Sequence, residues 1–215
     1  MKQLFPGAVP PKVRRLLLRM TEVGAIEKFY LAGGTGLALL LEHRRSVDLD
    51  FFSRTNRLDF VGRQHLLASL RQSPTWKILE ASNGTLQGRV DGIRVSFFWY
   101  PEPLVRPLIR HERLHIASLE DIGLMKIGAI IGWGSRKDFV DLYAICQRVP
   151  LRKLLMLGRR KFRDVSDFRL QSLKALNFFQ DAEQEPPLMM ITPVNWDDVK
   201  TFFTAEVRQL ARTYI

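Results

Sequence analysis

A single cysteine, Cys146, stands among 215 residues. No internal disulfide can form, and a reducing compartment is the natural setting. Histidine is nearly as scarce, and the four histidines and one cysteine fall at no spacing that makes a zinc site. No apolar run reaches the length of a membrane span: the most apolar stretch, Ile122 to Trp133, is too short and carries Lys126 in its middle. The opening residues, MKQLFPGAVPPK, hold neither a continuous apolar core nor a small-residue cleavage site, which predicts a cytoplasmic protein without a membrane partner. Fixed-period repeats and low-complexity tracts are absent. Acids are in short supply, with 22 Asp+Glu against 33 Lys+Arg, a formal net charge of +11 and a pI near 10.2. So basic a surface favours polyanions (nucleic acid, nucleotides or an acidic protein) without choosing among them. The remaining composition, 46% hydrophobic and 10% aromatic, is that of a globular chain and excludes a mainly disordered one. The length suits one well-cored domain with a satellite, or two small domains.

Along the chain, Pro10 and Pro11 precede VRRLLLRMTEV, whose apolar residues recur at helical spacing. Phe29 to Ala32 reads as a short buried strand ended by Gly33-Gly34, and Thr35 to Glu42 as a helix that Thr35 can cap. Val47 to Phe52 alternates apolar and acidic residues, the period of a two-faced strand. Leu58 to Arg71 is helical by pattern. Three strand-like runs follow, Trp76–Ala81, Gly84–Val90 and Gly92–Tyr100, joined by turns at Asn83-Gly84 and Asp91-Gly92. Prolines 101, 103 and 107 break regular structure. From Ser118 the pattern is helical to the end: a capping-box start at Ser118–Asp121, then helices over Ile122–Ile131, Lys137–Arg148, 151–158, 165–181 and 195–213. The expected fold class is α+β, a mixed sheet flanked by helices (1–116) followed by a helical region (117–215).

The chemistry concentrates in FYLAGGTGLALLLEHRRSVDLDFFS. Residues i and i+2 of a strand share a face, so Asp48 and Asp50 project side by side. Two carboxylates that close repel unless a cation lies between them, and magnesium, which takes carboxylate and phosphate oxygens, suits the pair. The rival reading is a strand edge that merely carries two acids; Val47-Leu49 and Phe51-Phe52 argue instead for a mostly buried strand. Gly33-Gly34-Thr35 adds backbone N–H groups at a helix start, where an anion can approach, with a tight strand-to-helix turn as the alternative.

This wording resembles the DNA polymerase β-like nucleotidyltransferase superfamily, whose pattern is a glycine-rich turn followed by D-x-D. It is closest to the AbiEii/AbiGii-type toxin nucleotidyltransferases, on Leu31–Leu39 and His43–Phe52. Gly92–Phe98 with Tyr100-Pro101, Leu119–Ile131 around Lys126, and Arg136–Tyr143 look like the same family. The resemblance implies a nucleotidyltransferase fold, Mg2+ held by Asp48 and Asp50, and an NTP triphosphate cradled by Gly33, Gly34 and Thr35. It also implies roles at the nucleotide for Lys126, Asp138 and Asp141, and for Arg45 within the basic run His43-Arg44-Arg45. Lys126, on an otherwise apolar helix, needs an anionic partner, whether a phosphate, Asp138 or Asp141; Asp138 and Asp141 share a helix face. Structural ion pairing, and for His43–Arg45 a basic helix end, are the rivals.

One departure stands out. Such enzymes commonly take a third carboxylate from a later strand, where this chain reads Ile93-Arg94-Val95-Ser96-Phe97. Ser96 occupies that place, and Asp91 or Glu80 substitutes only in an unusual register. Further on, Arg152, Lys153, Arg159, Arg160, Lys161 and Arg163 crowd together, with Trp133 and Phe162 in reach for stacking, a patch suited to a phosphate backbone or simply a solvated face. Cys146 reads as a core residue. The expected activity is magnesium-dependent transfer of a nucleotide from an NTP to a hydroxyl of an acceptor such as RNA or tRNA, by a toxin paired with an antitoxin protein. The alternative is a non-catalytic nucleotide- or RNA-binding module on a degenerate version of the fold.

Overall fold

Each of two compact units buries its own apolar residues. In the computed structural model, which describes residues 4–70 and 76–212, one unit comprises Met1–Pro103 and Pro107–Ser118. The other comprises Leu104–Arg106 and Leu119–Ile215.

The first unit opens with α1 (Pro11–Glu22). Val13, Leu16, Leu17 and Met20 recur at helical spacing and are its buried face. Strand β1 (Tyr30–Leu31) leads into α2 (Gly33–Leu41), apolar nearly all round and buried accordingly. This helix starts at the glycine pair itself, two residues before the expected Thr35. Strands β2 (Leu49–Ser53), β3 (Lys77–Ser82), β4 (Thr85–Val90) and β5 (Ile93–Trp99) and helix α3 (Phe60–Leu70) follow. Helix α3 begins later than the pattern suggests because Leu58 takes a positive φ of 49° and Asp59 Oδ1 accepts from the Gly62 N–H. The expected helix ends at Arg71 and at residue 213 lie outside the described residues.

Seven strands form one mixed sheet in the order β3-β4-β5-β2-β1-β7-β6. Strands β6 (Ile109–His111) and β7 (Leu114–Ile116) make a hairpin that the sequence pattern did not announce. They lie just after the prolines that were expected to break structure, and half of their residues are arginine or histidine. Strand β7 runs parallel to β1, pairing Leu31 with Ile116. The β4–β5 turn places Asp91 (φ 52°) and Gly92 (φ 81°) in the left-handed region, as a two-residue hairpin demands. One sheet face carries Leu31, Leu49, Phe51, Leu86, Val95 and Phe97, all fully buried. Positions of opposite parity, including Asp50, Phe52, Ser96 and Phe98, face the other way.

The second unit is helical: α4 (Leu119–Trp133), α5 (Arg136–Cys146), α6 (Leu151–Lys161), α7 (Phe168–Ala175), α8 (Gln180–Glu183) and α9 (Trp196–Arg212). The continuous helix expected over 165–181 is broken. Asp167 is left-handed (φ 49°), and the break after α7 lets Phe179 turn inward onto Phe139 (ring centroids 5.1 Å) and Trp196 (6.1 Å). Aromatic burial at that corner outweighs continued helical hydrogen bonding. Asp121, fully buried on α4, accepts from the N–H groups of Val105 (2.9 Å) and Arg106 (3.1 Å) and from Lys161 Nζ (3.1 Å). That pins the short 104–106 stretch to this unit. Among the described residues no helix is long and apolar enough to cross a membrane.

Phe97 stacks on Phe51 (5.3 Å) and meets Phe29 edge-on (5.1 Å) at the centre of the first core. Phe97→Ala is expected to cost about 3–5 kcal/mol, measured as a lowered midpoint in chemical denaturation.

Candidate active site

The turn from β1 into α2 decides the geometry. Gly33 has φ +59°, a conformation that L side chains adopt at a cost. A β-carbon there would stand 2.7 Å from Asp50 Oδ2, so the carboxylate lies directly against the bend. The backbone fixes this placement, because the Ala32 N–H donates to the Asp50 carbonyl (3.0 Å) and β1 pairs antiparallel with β2. On the neighbouring glycine, a β-carbon would meet Arg44 Nη2 at 2.5 Å and Ser46 Oγ at 3.0 Å. The start of α2 is therefore flanked by an acid at Gly33 and a guanidinium at Gly34.

Arg44, Ser46, Asp48 and Asp50 alternate with the exposed or apolar Arg45, Val47 and Leu49. The functional groups thus share one side of an extended segment, Asp48 lying just ahead of β2. Asp48 and Asp50 are both half-buried. Thr35 is fully buried; its hydroxyl donates to the main-chain carbonyl of Asp48 and shares a 2.9 Å hydrogen bond with Ser46 Oγ. The side chain expected to touch phosphate is instead committed to holding the Asp48 segment against α2. The guanidinium at the bend belongs to Arg44, buried, whereas Arg45 is exposed. The R-x-S-x-D-x-D alternation was the signal that could have separated the two arginines.

The third-carboxylate position is settled by register. Ser96 pairs directly with Asp50, and Gln87 with Ser96. Glu80 lies further along the same row, on edge strand β3 opposite Gln87, where it accepts from Gln87 Nε2 (3.0 Å) and Ser82 Oγ (3.0 Å). Asp91 sits in the β4–β5 turn, 3.6 Å from Arg19. Neither acid takes the serine's place. Among the described residues no group of three or more His, Cys, Asp or Glu is arranged to hold a metal. Two carboxylates do fit Mg2+, which is ordinarily held by one or two protein carboxylates together with substrate phosphates and water.

In the helical unit, Lys126 Nζ lies 2.8 Å from Asp138 Oδ1 and 2.7 Å from Asp141 Oδ2, and Ser135 Oγ donates to Asp138 Oδ2 (2.6 Å). Burial alone pulls the ammonium's pKa down, but the two carboxylates outweigh it and hold Lys126 above its ordinary value of 10.5. Asp138 and Asp141 thus supply the anionic partners that this lysine needs. The basic patch also needs redrawing. Lys161 is fully buried against Asp121 and does not belong to a surface patch, and Lys153 pairs with Glu120 at 3.2 Å. Phe162 stacks on Phe168 (4.7 Å). Arg152, Arg159, Arg160, Arg163 and Trp133 are exposed. Arg169, absent from the expected patch, is near enough to Arg152 and Arg159 that they help lower its pKa, after the larger effect of burial. Burial holds the Cys146 thiol well above its ordinary range, with a smaller push from Glu206; it is no thiolate nucleophile.

Residues 15–211 match the family described as nucleotidyl transferase AbiEii toxin, type IV TA system. The chain belongs to the AbiEii nucleotidyltransferase toxin family. It is 35% identical over 201 residues, 91% of this chain and 94% of the other, to an uncharacterised protein of Aquifex aeolicus (strain VF5). Its fold is similar to that of JHP933 from Helicobacter pylori (TM-score 0.56, 15% identity, 98% and 94% of the two chains covered). It is also similar to that of MenT4, a nucleotidyltransferase toxin of Mycobacterium tuberculosis H37Rv (TM-score 0.55, 16% identity, 89% and 83% covered). The family assignment makes the chain a nucleotidyltransferase, with a nucleotide substrate and an antitoxin partner.

Gly33→Ala should strain the left-handed position by about 1–2 kcal/mol and push Asp50 from the bend. Nucleotidyl transfer is expected to fall by more than the shift in melting temperature accounts for. Lys126→Met would leave two buried carboxylates facing each other and should cost about 3–5 kcal/mol in urea unfolding at pH 7. Because Lys126 is raised in the folded state, its contribution is complete below about pH 10.5 and lost as pH climbs through the folded pKa. The alkaline fall in stability should accordingly be shallower in Lys126→Met than in the wild type.

Proposed function

We propose that this toxin transfers a nucleoside monophosphate from an NTP to a hydroxyl of an RNA acceptor, the hydroxyl oxygen bonding to the α-phosphorus as pyrophosphate leaves, with magnesium bound at Asp48 and Asp50. The carrying observation is the contact of the Asp50 carboxylate with the Gly33 bend, which brings metal-binding oxygens and a helix N-terminus to one spot. In this reading Gly33 and Gly34 admit the triphosphate to the backbone N–H groups of α2, and Arg44 balances its charge from the Gly34 side. Thr35 and Ser46 position Asp48. Magnesium, when bound, supplies charge neutralisation at the reacting phosphate. Lys126 with Asp138 and Asp141 forms a pre-organised acid–base cluster on the helical unit, with Asp138 the candidate base. Exposed Arg152, Arg159, Arg160 and Arg163, joined by Arg169, would hold the RNA backbone by counterion release. The basic composition supports RNA over a neutral acceptor, and the family's toxin character supports a cytoplasmic target.

A second reading has one observation in its favour: Ser96, uncharged, stands directly beside Asp50. A protein lacking the third acid could retain RNA or nucleotide affinity without turnover.

One experiment separates the two. Purified protein is incubated with each labelled NTP, magnesium and total RNA, beside Asp48→Asn with Asp50→Asn. Transfer of label by the wild type and a loss of at least about 10²-fold in the double variant, the scale of removing a charge-stabilising group from a reacting centre, is the expected result. Tight RNA binding with no transfer, insensitive to magnesium and to both aspartates, favours the binding module.

A further inference from the structure

A ladder of rings crosses the sheet one step from Asp50, on the same face. Tyr30 stacks on Phe52 (6.0 Å, 26° between ring planes), and Phe52 stacks on Phe98 (5.2 Å, 29°). Tyr100 meets Phe52 edge-on (5.8 Å). The register makes the first three consecutive rungs on β1, β2 and β5. The next rungs, on β4 and β3, are Thr85 opposite Phe98 and Ser82 opposite Thr85. The stack therefore stops at Phe98, and two short hydroxyl residues continue its floor. Among the described residues no ring but Phe52 lies against Phe98, and both Phe98 and Thr85 are only half-buried.

Polar groups border this gap on the side toward the aspartates. Ser96 precedes Phe98 by two positions and pairs with Asp50, while Gln87 follows Thr85 by two and pairs with Ser96. The Gln87 amide is held at both ends: its Nε2 donates to Glu80 and its Oε1 accepts from Arg94 (2.5 Å). With strands about 4.8 Å apart and two residues spanning about 7 Å, the Thr85 position lies on the order of 12 Å from Asp50 along the sheet. An extended nucleotide covers that span.

We infer that the gap over Thr85, walled by Phe98, is the stacking position for a nucleobase of this enzyme's substrates, with the half-buried Gln87 presented to the base edge. A planar base there completes the ring ladder as its fourth member. Such stacking is tolerant of base identity and is worth about one to two orders of magnitude in affinity. The inference rests on the nucleotidyltransferase reading for its ligand. The base comes either from the NTP or from the RNA acceptor, and the two are told apart by measurement.

Two variants test it. Phe98→Leu keeps apolar contact with Phe52 but removes the aromatic face, and Thr85→Trp places a ring of the protein's own in the gap. Circular dichroism melts confirm that both fold. Equilibrium dialysis with labelled ATP, CTP, GTP and UTP in magnesium measures the nucleotide arm, and filter retention of labelled total RNA measures the acceptor arm. Both variants are expected to weaken one arm by about tenfold or more, while inhibition of that arm by inorganic triphosphate, which carries no base, stays at the wild-type value. A fall in NTP binding assigns the gap to the nucleotide, and a fall in RNA retention assigns it to the acceptor. Unchanged binding in both arms for Phe98→Leu or for Thr85→Trp overturns the inference, as does equal weakening of inorganic triphosphate. Neither binding assay requires turnover, so failure of label transfer by the wild type strikes the catalytic reading alone.

Discussion

Asp50 stands where it does because Gly33 has no side chain. With a β-carbon 2.7 Å from its carboxylate oxygen, the acid would have to leave the bend, and the left-handed backbone of Gly33 admits other residues only under strain. Much of the local structure serves that one approach. The antiparallel pairing of β1 with β2 brings the Asp50 carbonyl to the Ala32 N–H. Gly36 brings α2 close over β1, since a side chain there would stand 3.3 Å from the Leu31 carbonyl. Thr35 gives its hydroxyl to the chain at Asp48. A helix start that must admit an anion cannot carry bulk, and the same lack of bulk lets the acid come near. Arg44 supplies the opposite charge on the adjacent glycine, so the bend presents partial positive charge between a fixed anion and a fixed cation.

Charge is handled differently in the helical unit. Asp121, Asp138 and Asp141 are among its most deeply buried acids, and they are matched by only two buried lysines, Lys126 and Lys161. Breaking either grouping leaves charge in a medium that solvates it poorly, which makes these groupings hard to lose even where an apolar replacement of the whole would be as stable. There is a second consequence. With the buried Arg44 of the first unit counted beside these two lysines, the described residues bury three bases and three acids, so the interior does nothing to offset the chain's formal surplus of +11. The exposed arginines of α6, near Arg169 of α7, carry part of this surplus, and the exposed Lys12, Arg14, Arg15 and Arg19 of α1 carry another part.

The residues most readable from sequence were those whose meaning is local. Asp48 and Asp50 share a side because alternation over two residues fixes it, and Gly33-Gly34 marks a turn for the same short-range reason. The D-G hairpin and the apolar spacing of α1 were legible on this basis too. What escaped depended on partners distant in the chain. Thr35 looked like a phosphate donor because its acceptors lie eleven and thirteen residues away. Lys161 looked like surface because Asp121 lies 40 residues earlier. The β6–β7 hairpin hides behind prolines and basic residues, and it is held in the sheet by parallel pairing with β1, which no local pattern encodes. The helix expected through residue 181 stops early for the sake of Phe139 and Trp196, again remote in sequence.

Ser96 bears on how such a site could work. A carboxylate in its place would sit directly across from Asp50, and two acids in adjacent strand positions raise each other's proton affinity unless a cation holds them apart. The serine removes that repulsion and leaves the pair Asp48–Asp50 as the acid set on this part of the sheet. It also leaves no group on β5 strong enough to take a proton from an attacking hydroxyl. A chain built this way must find its base elsewhere or lean on the charge of a single cation to lower the barrier.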